Sequence, residues 1–412
     1  MQNGNVIMKV LQISSEVNIG SVGRIAEQIG ENILNEGWES YIAFGREHLP
    51  SKSSIFKIGN TFDFIYHVLL TRLTDRHGFG SENATKKLID KINEINPDII
   101  HLQHLHGYFV NIDLLFKFLT TTKAKIVWTF HDCWSFTGHC AYYELVNCDK
   151  WKTHCHECPQ LNEYPKSIFT DNSKKNYTHK RALFTSIDQM TIVPVSNWLE
   201  GEVRKSFLKN YNIKTIHNGV DVDQFTYKEN NIKQKFNIEG KFLILGVASP
   251  WDKRKGLKYF VELAEKISDD YKIILVGLSK KQIKNLPEKI IGLERTKNVN
   301  ELAELYSAAD VFVNPTLEDT FPTTNLEAQS CGTPVITFKT GGSPEAIDSS
   351  TGIVVEKSNT EELVNAIEEV KKNTKLFYSV HCRNRILRLF DKKNAFKHYI
   401  DLYKELIESK SI

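Results

Sequence analysis

The sequence predicts an α/β fold built from two doubly wound, Rossmann-like domains that face each other across a cleft. Three observations predict it. The chain has 412 residues, more than a single core usually spans (roughly 250–300). Two separate series of short apolar runs alternate with segments of helical periodicity. A turn-rich polar stretch divides the series.

In the first series, residues 8–13, 40–44, 99–103, 125–130 and 191–195 read as strands. Ile25, Ile29, Ile33 and Leu34 recur at helical spacing between the first two. Ser196 stands where it can cap the helix after the last. In the second series, residues 242–247, 273–277, 311–314, 334–338 and 353–355 read as strands. Helices are clearest over 256–267, 300–308 and 323–330. Strands alternating with helices imply parallel sheets covered on both faces. The divide is the stretch 215–225, TIHNGVDVDQF, with its Asn-Gly turn, followed by the polar run 228–234. We place a first domain at 1–215 with a cysteine-rich insert at 133–165, and a second at 216–390. Near the end, Phe390, Phe396, Tyr399, Ile400, Tyr403 and Leu406 form an apolar stripe. The segment 391–412 is expected to be a helix packing back on the first domain.

Hydrophobic residues make up 41% and charged residues 25% of the chain, an ordinary globular balance. With 53 basic and 50 acidic residues the net charge is +3. Neither this balance nor any motif calls for nucleic acid. No run of about 18 apolar residues offers a membrane span, and the first residues, MQNGNVIMKVLQI, lack a signal-peptide pattern. A cytoplasmic protein is expected, with its seven cysteines reduced or metal-bound rather than paired.

Ligands of doubly wound domains bind at the carboxyl ends of the strands. In the second domain, the stretch 318–334 combines a loop, a helix start near Thr323 and two acids eight residues apart, Asp319 and Glu327. A helix N-terminus suits a diphosphate, and carboxylates suit sugar and ribose hydroxyls. The pair also reads as a turn residue and a solvated helix residue, since acids at this distance are common. Arg254 and Lys255 occupy the loop after the run 242–247, where cations suit phosphates; a solvated surface pair is the alternative. In the first domain, Gly20 and Gly23 permit close backbone approach in the loop after the first strand. Their spacing is not the dinucleotide fingerprint. His131 and Asp132 end the strand 125–130 and point toward the expected cleft. His101, His104 and His106 read equally as cleft or packing residues.

Three segments, in order, carry a resemblance: HNGVD at 217–221, the basic loop ending Arg254-Lys255-Gly256, and DTFPTTNLEAQSCGTPVI at 319–336. Together they resemble the donor-binding half of the family 4 retaining glycosyltransferases, which have the GT-B architecture. The resemblance implies transfer of a sugar, with retention, from a nucleotide-sugar donor to a saccharide acceptor, expected to be lipid-linked. It implies that Lys255 and a nearby arginine neutralise the diphosphate and that Glu327 holds the ribose. Asp319 touches the donor sugar where the family usually has glutamate, with Glu318 adjacent. Asn325, inside the same motif, joins the donor-binding set. Thr320 stands where a glycine is usual, and Ser249 lies near the place of the family's arginine, for which Arg254 substitutes. The resemblance also puts His131 beside the donor sugar as a catalytic-site residue, and the loop of Gly20 and Gly23 near donor phosphates or acceptor. Cations and helix dipoles stand in for a catalytic metal, so no catalytic cofactor is expected. A nucleotide-sugar epimerase needs an acid–base set that we do not identify. A dehydrogenase lacks its glycine fingerprint. A non-catalytic sugar-nucleotide-binding protein is the remaining alternative.

Five cysteines fall between Cys133 and Cys158. Cys155 and Cys158 are spaced like a ligand pair, and Cys140 and Cys148 complete four thiolates for a structural zinc. The other spacings do not match a zinc ribbon. Reduced thiols and disulfides remain open, as do His139, His154 and His156 as ligands. The insert resembles one found in colanic acid and capsule glycosyltransferases. Finally, the segment 61–75 carries Phe62, Phe64, Ile65, Val68, Leu69 and Leu73 beside Arg72 and Arg76. Such a stripe usually faces a core; it also suits peripheral contact with a membrane surface.

Overall fold

The computed structural model describes residues 7–409. They form two compact units: residues up to His217 together with those from Phe396 onward, and Asn218–Ala395.

In the first unit the chain runs β1 (Lys9–Ser14), α1 (Gly20–Asn35), β2 (Glu39–Phe44), β3 (Ser54–Lys57), α2 (Thr61–Thr74), α3 (Glu82–Ile95), β4 (Ile99–Leu102), α4 (Ile112–Leu119), β5 (Lys125–Phe130), α5 (Ser173–Phe184), β6 (Met190–Pro194), α6 (Asn197–Val203) and β7 (Asn212–Ile213). The strands make one sheet in the order β3-β2-β1-β4-β5-β6-β7, with every pairing parallel. The second unit begins with α7 (Ile232–Lys235) and continues β8 (Phe242–Val247), α8 (Leu257–Lys266), β9 (Tyr271–Val276), α9 (Lys280–Ile283), β10 (Ile290–Leu293), α10 (Val299–Ala308), β11 (Val311–Asn314), α11 (Thr323–Ser330), β12 (Val335–Phe338), β13 (Gly352–Val355) and α12 (Thr360–Leu389), which kinks at Thr374. Its sheet is also parallel, ordered β10-β9-β8-β11-β12-β13. The last helix is α13 (Lys392–Glu408).

Both sheets are Rossmann-like, as the alternation predicts. Three strands escape the sequence reading: β3, β7 and β10. All lie at sheet edges and are short and mostly half-exposed, so they lack the continuous apolar run that marks a doubly covered strand. In each sheet the chain reverses its direction of winding between the first strand and the fourth: β1 beside β4, and β8 beside β11. At that switch the flanking loops diverge and leave a crevice at the carboxyl edge.

The core of the first unit joins Val10, Ile99, Val127 and Val193 from the sheet with Ile25, Ile29 and Ile33 of α1. Phe396, Tyr399, Ile400, Leu402 and Tyr403 of α13 complete it. Two of these rings carry hydroxyls inward. Tyr399 reaches the Thr129 hydroxyl at 3.0 Å, and Tyr403 reaches His101 Nδ1 at 2.7 Å. The other nitrogen of His101 meets Thr129 at 2.7 Å. His101 is thus a packing residue, and burial pushes its pKa down to about 3. The cysteine-rich insert has an aromatic core. Trp134, Phe136, Tyr143 and Trp151 are buried, with Trp151 4.9 Å from Tyr143 and 5.0 Å from Phe136.

Replacing Tyr403 by Phe removes the 2.7 Å partner of buried His101 Nδ1 and leaves it only the longer 3.4 Å contact with Gln103 Nε2. We expect a loss of about 1–2 kcal/mol, read as a lower melting temperature; an unchanged melting curve would show that the hydroxyl contributes nothing.

Candidate functional site

In the second unit the crevice is lined by the loops after β8 and β11. The first loop folds into a single 3-10 turn over Lys253–Lys255, capped by Asp252, whose side chain accepts from Lys255 N at 3.1 Å. Gly256 follows with φ +75°, and a Cβ there would lie 2.1 Å from Pro315 O. Only glycine lets the two loops close to this distance. They are then tied: Leu317 N donates to Arg254 O at 2.7 Å, and Arg254 Nη1 to Glu318 O at 2.9 Å. Lys255 Nζ donates to Asp319 Oδ2 at 2.6 Å. Burial alone pushes the Asp319 carboxyl up; Lys255 and then Arg254 outweigh it and hold the group below its ordinary value.

Helix α11 starts just beyond. Its N-cap is Pro322, and no side chain caps the first turn, so backbone N–H groups and the positive end of the helix dipole meet the crevice. Glu327, one turn in, is buried rather than solvated, and Tyr306 donates its hydroxyl to Oε2 at 2.9 Å. The structure thus brings Arg254, Lys255 and Asp319 together beside the start of the helix that carries Glu327. Glu318 contributes its backbone carbonyl. Asn325 is a correction. It is wholly buried, accepting from Asn314 Nδ2 at 2.8 Å and donating to Ser343 Oγ at 3.0 Å. It locks α11 to β11 and does not present its side chain to a ligand.

In the first unit the crevice lies between the loops after β1 and β4. Gly20, with φ +64°, opens α1, whose N-cap Ile19 makes no side-chain bond. A Cβ on Gly23 would sit 3.1 Å from the backbone of Glu16, so both glycines serve close packing of the loop. His131, after β5, donates from Nε2 to Gln103 Oε1 at 2.9 Å. Gln103 in turn donates to Gln12 at 3.0 Å, and Gln12 to Ala26 O. This chain fixes the amide orientations and leaves His131 Nδ1 as an acceptor. Burial, then His104, pushes His131 down to about 3, so it is neutral near pH 7.

A cluster whose members the sequence offers only as separate residues stands beside it. His104 and His106 both donate to Asp132 Oδ2, at 3.2 and 2.6 Å. Asp132 Oδ1 accepts from Trp134 N at 2.9 Å. Burial pushes the carboxyl up, but the two histidines outweigh it and hold it well below its ordinary value. Ser15 Oγ meets His104 Nδ1 at 3.2 Å, and Tyr164 Oη meets His106 Nδ1 at 3.0 Å. The signal was present as His104-x-His106 after one strand and His131-Asp132 after the next, on adjacent strands.

The cysteines are free. Cys140, Cys148, Cys155 and Cys158 line one small cavity with His139 and His156. Cys140 and Cys158 bond to each other through their side chains, while among the described residues the group of three that converges within metal-ligand distance is His104, His106 and Asp132.

Two family models match this chain. Residues 22–224 match "Glycosyltransferase Family 4", and residues 241–373 match "Glycosyl transferases group 1". The chain is a glycosyltransferase of the GT-B type. A protein of Escherichia coli K12 named for colanic acid biosynthesis glycosyl transferase WcaC is 24% identical over 375 residues, covering 87% of this chain and 89% of that one. An E. coli UDP-Gal:alpha-D-GlcNAc-diphosphoundecaprenol alpha-1,3-galactosyltransferase is 26% identical over half of this chain and 58% of its own. Among solved structures, sucrose-phosphate synthase from Thermosynechococcus elongatus superposes with TM-score 0.72 at 18% identity, covering 97% of this chain and all of that one. WaaG, a glycosyltransferase involved in lipopolysaccharide biosynthesis, gives 0.66 at 15%, covering 96% and 99%. The fold is GT-B, and the activity is transfer of a sugar from a nucleotide sugar.

Replacing Lys255 by Met strips Asp319 of its main cation. In the parent chain the carboxyl's folded pKa lies below the unfolded value of about 3.9. Its stabilising effect is present above that value and lost as pH falls through the folded pKa. In the variant burial dominates and the folded pKa rises above the unfolded one. The loss, about 3–5 kcal/mol near neutrality, should shrink as pH falls into the ordinary carboxylate range, about 3.9 and just above. Melting temperatures across that range check it; a pH-independent difference would sink the assignment.

Proposed function

We propose that the chain transfers a sugar with retention at the anomeric carbon, from a nucleoside-diphosphate sugar to a lipid-linked saccharide, without a catalytic metal, working in the cytoplasm at the inner face of a membrane. The observation that carries the reading is the pairing of Lys255 with Asp319 at the switch point of the second unit, beside an uncapped helix N-terminus. Lys255, Arg254 and the first turn of α11 offer positive charge for the departing diphosphate, which is electrostatic stabilisation of a leaving group. The same groups supply what a divalent cation would otherwise provide. Glu327, oriented by Tyr306, suits the ribose hydroxyls. Asp319, held ionised, suits a hydroxyl of the donor sugar. No carboxylate is assigned as nucleophile, so the acceptor hydroxyl attacks from the face the diphosphate leaves, and the diphosphate takes its proton. The lipid-linked acceptor is supported by the galactosyltransferase relative, whose name states a diphosphoundecaprenol acceptor. Three solved structures of one neighbour, HepE, were obtained with UDP, with UDP and glucose, and with UDP-glucose, which puts uridine donors first in a panel.

We also propose that Cys140, Cys148, Cys155 and Cys158 hold one structural zinc. They line a single cavity with His139, whose buried Nε2 has no partner.

Incubation with a panel of nucleotide sugars and lipid-linked acceptors should release nucleoside diphosphate from one donor, and NMR of the product should show the donor's anomeric configuration. Release from none, or an inverted product, overturns the reading. Glu327→Gln should lower kcat/KM by about a hundredfold, or roughly 2.7 kcal/mol, and omitting divalent metal from the assay should leave activity intact. Metal analysis should find zinc at one ion per chain; a metal-free protein with freely titrating thiols would remove the zinc.

A further inference from the structure

The stripe on α2 does not face a core. Phe62, Ile65, Tyr66, Leu69 and Leu73 are exposed, Phe62 at 84%, while only His67 and Thr71 of this helix are fully buried. Their spacing puts them on one side of the helix. Beside its C-terminal end runs a strap from the cysteine-rich insert with Tyr164, Ile168 and Phe169 also exposed, Phe169 at 78%.

The strap is bonded to the helix, not merely near it. Ile168 N donates to Arg72 O at 2.8 Å, Thr170 Oγ1 to Leu73 O at 2.9 Å, and Asn172 Nδ2 to Thr74 O at 2.7 Å. Asp75 ends the helix in a left-handed conformation. Its carboxylate accepts from Asn172 N at 2.8 Å and meets His139 Nδ1 inside the insert. These bonds satisfy the last carbonyls of α2 and fix the apolar strap side chains beside those of the helix. A soluble surface gains nothing from holding eight large apolar side chains in one place.

We propose that α2 and the 164–169 strap form one face that docks on a lipid bilayer carrying anionic headgroups, and that the cysteine-rich insert serves to build half of it. The face is a ridge with protruding rings, suited to the headgroup boundary rather than to gripping a partner helix. Arg72, Arg76 and Lys166 are exposed at it against two exposed acids, Glu163 and Asp171; Asp171 is taken up by Cys158 N and Ser173 N, and Asp63 by the helix cap, where it accepts from Asn60 N. Cations of this kind complement anionic lipid. In a two-fold contact with a second copy they would face one another, which disfavours self-association. Tyr164 links the face to the crevice: half exposed, it bonds through Oη to His106, and His106 bonds to Asp132 at the carboxyl edge of the sheet. Docking there brings that edge to the membrane surface, where a lipid-linked acceptor resides. In this last step the inference rests on the function proposed above.

The test is co-sedimentation with vesicles of phosphatidylcholine alone and of phosphatidylcholine mixed with phosphatidylglycerol. The parent protein should sediment with the mixed vesicles, and less at high salt. The double variant Phe62→Asp, Phe169→Asp changes two exposed side chains and should fold normally by its melting curve. It should lose about tenfold or more in partitioning, with donor hydrolysis unchanged. Arg72→Glu with Arg76→Glu should weaken binding to the mixed vesicles only. Absence of parent binding to either vesicle, or equal binding by the double variant, overturns the proposal. So does a parent dimer in solution that the double variant converts to monomer, which would make this face a contact between copies. Vesicle binding without any sugar transfer would leave docking standing and remove the catalytic reading; transfer without vesicle binding would do the reverse.

Discussion

A parallel sheet covered by helices on both sides has no polar surface along its strands. Every residue of β4, β6, β11 and β12 is buried, and polar chemistry can reach a ligand only at the strand ends. Reversal of the winding at β1/β4 and β8/β11 then decides which ends matter. It explains why residues scattered through the sequence gather: Arg254 and Lys255 after β8 meet Asp319 after β11, and Ser15 after β1 meets His104 after β4. The glycine at 256 is the steric condition for the first meeting, because a side chain there would collide with Pro315.

The architecture was legible because its signal is local. Each central strand is a continuous apolar run, and each helix repeats at its own period. The edge strands were not legible, being short and half wet. The two acids at 319 and 327 could be read as a pair from spacing, and the basic loop as a phosphate partner. Their burial could not, because it depends on a lysine 64 residues away and on a tyrosine from α10. Asn325 shows the limit of motif reading. It stands two residues before Glu327, so the helix turns the two side chains about 200° apart, and one is drawn inward toward Asn314 and Ser343. The histidine cluster was hidden for a related reason: its members come from loops after different strands, and only the register of β4 against β5 makes them neighbours.

Buried polar groups in the first unit are arranged as connected sets rather than as isolated pairs. One runs from Tyr399 and Tyr403 through Thr129 and His101 to Gln103 and His131. Such a set tolerates few alternatives, since each member fixes the proton position of the next. Lys180 plays a comparable part under the insert. Its ammonium lies 3.4 Å from the Trp134 ring centre and donates to the carbonyls of Trp134 and Thr137, while burial pushes its pKa down to about 7. The insert is therefore an integral part of its unit, anchored through rings and an enclosed cation.

The place of α13 in the first core has a consequence for synthesis. Val10, Ile99 and Val127 are made early, yet the side chains that cover them include Phe396, Ile400 and Tyr403. Translation adds on the order of 5–20 residues per second, so the first sheet waits roughly ten to forty seconds after β7 for its last layer. The second unit, contiguous from Asn218 to Ala395, has all its strands before that moment. The half of the chain that leaves the ribosome first is thus the half that finishes last, and in the interval its unfinished apolar face is a ready client for chaperones.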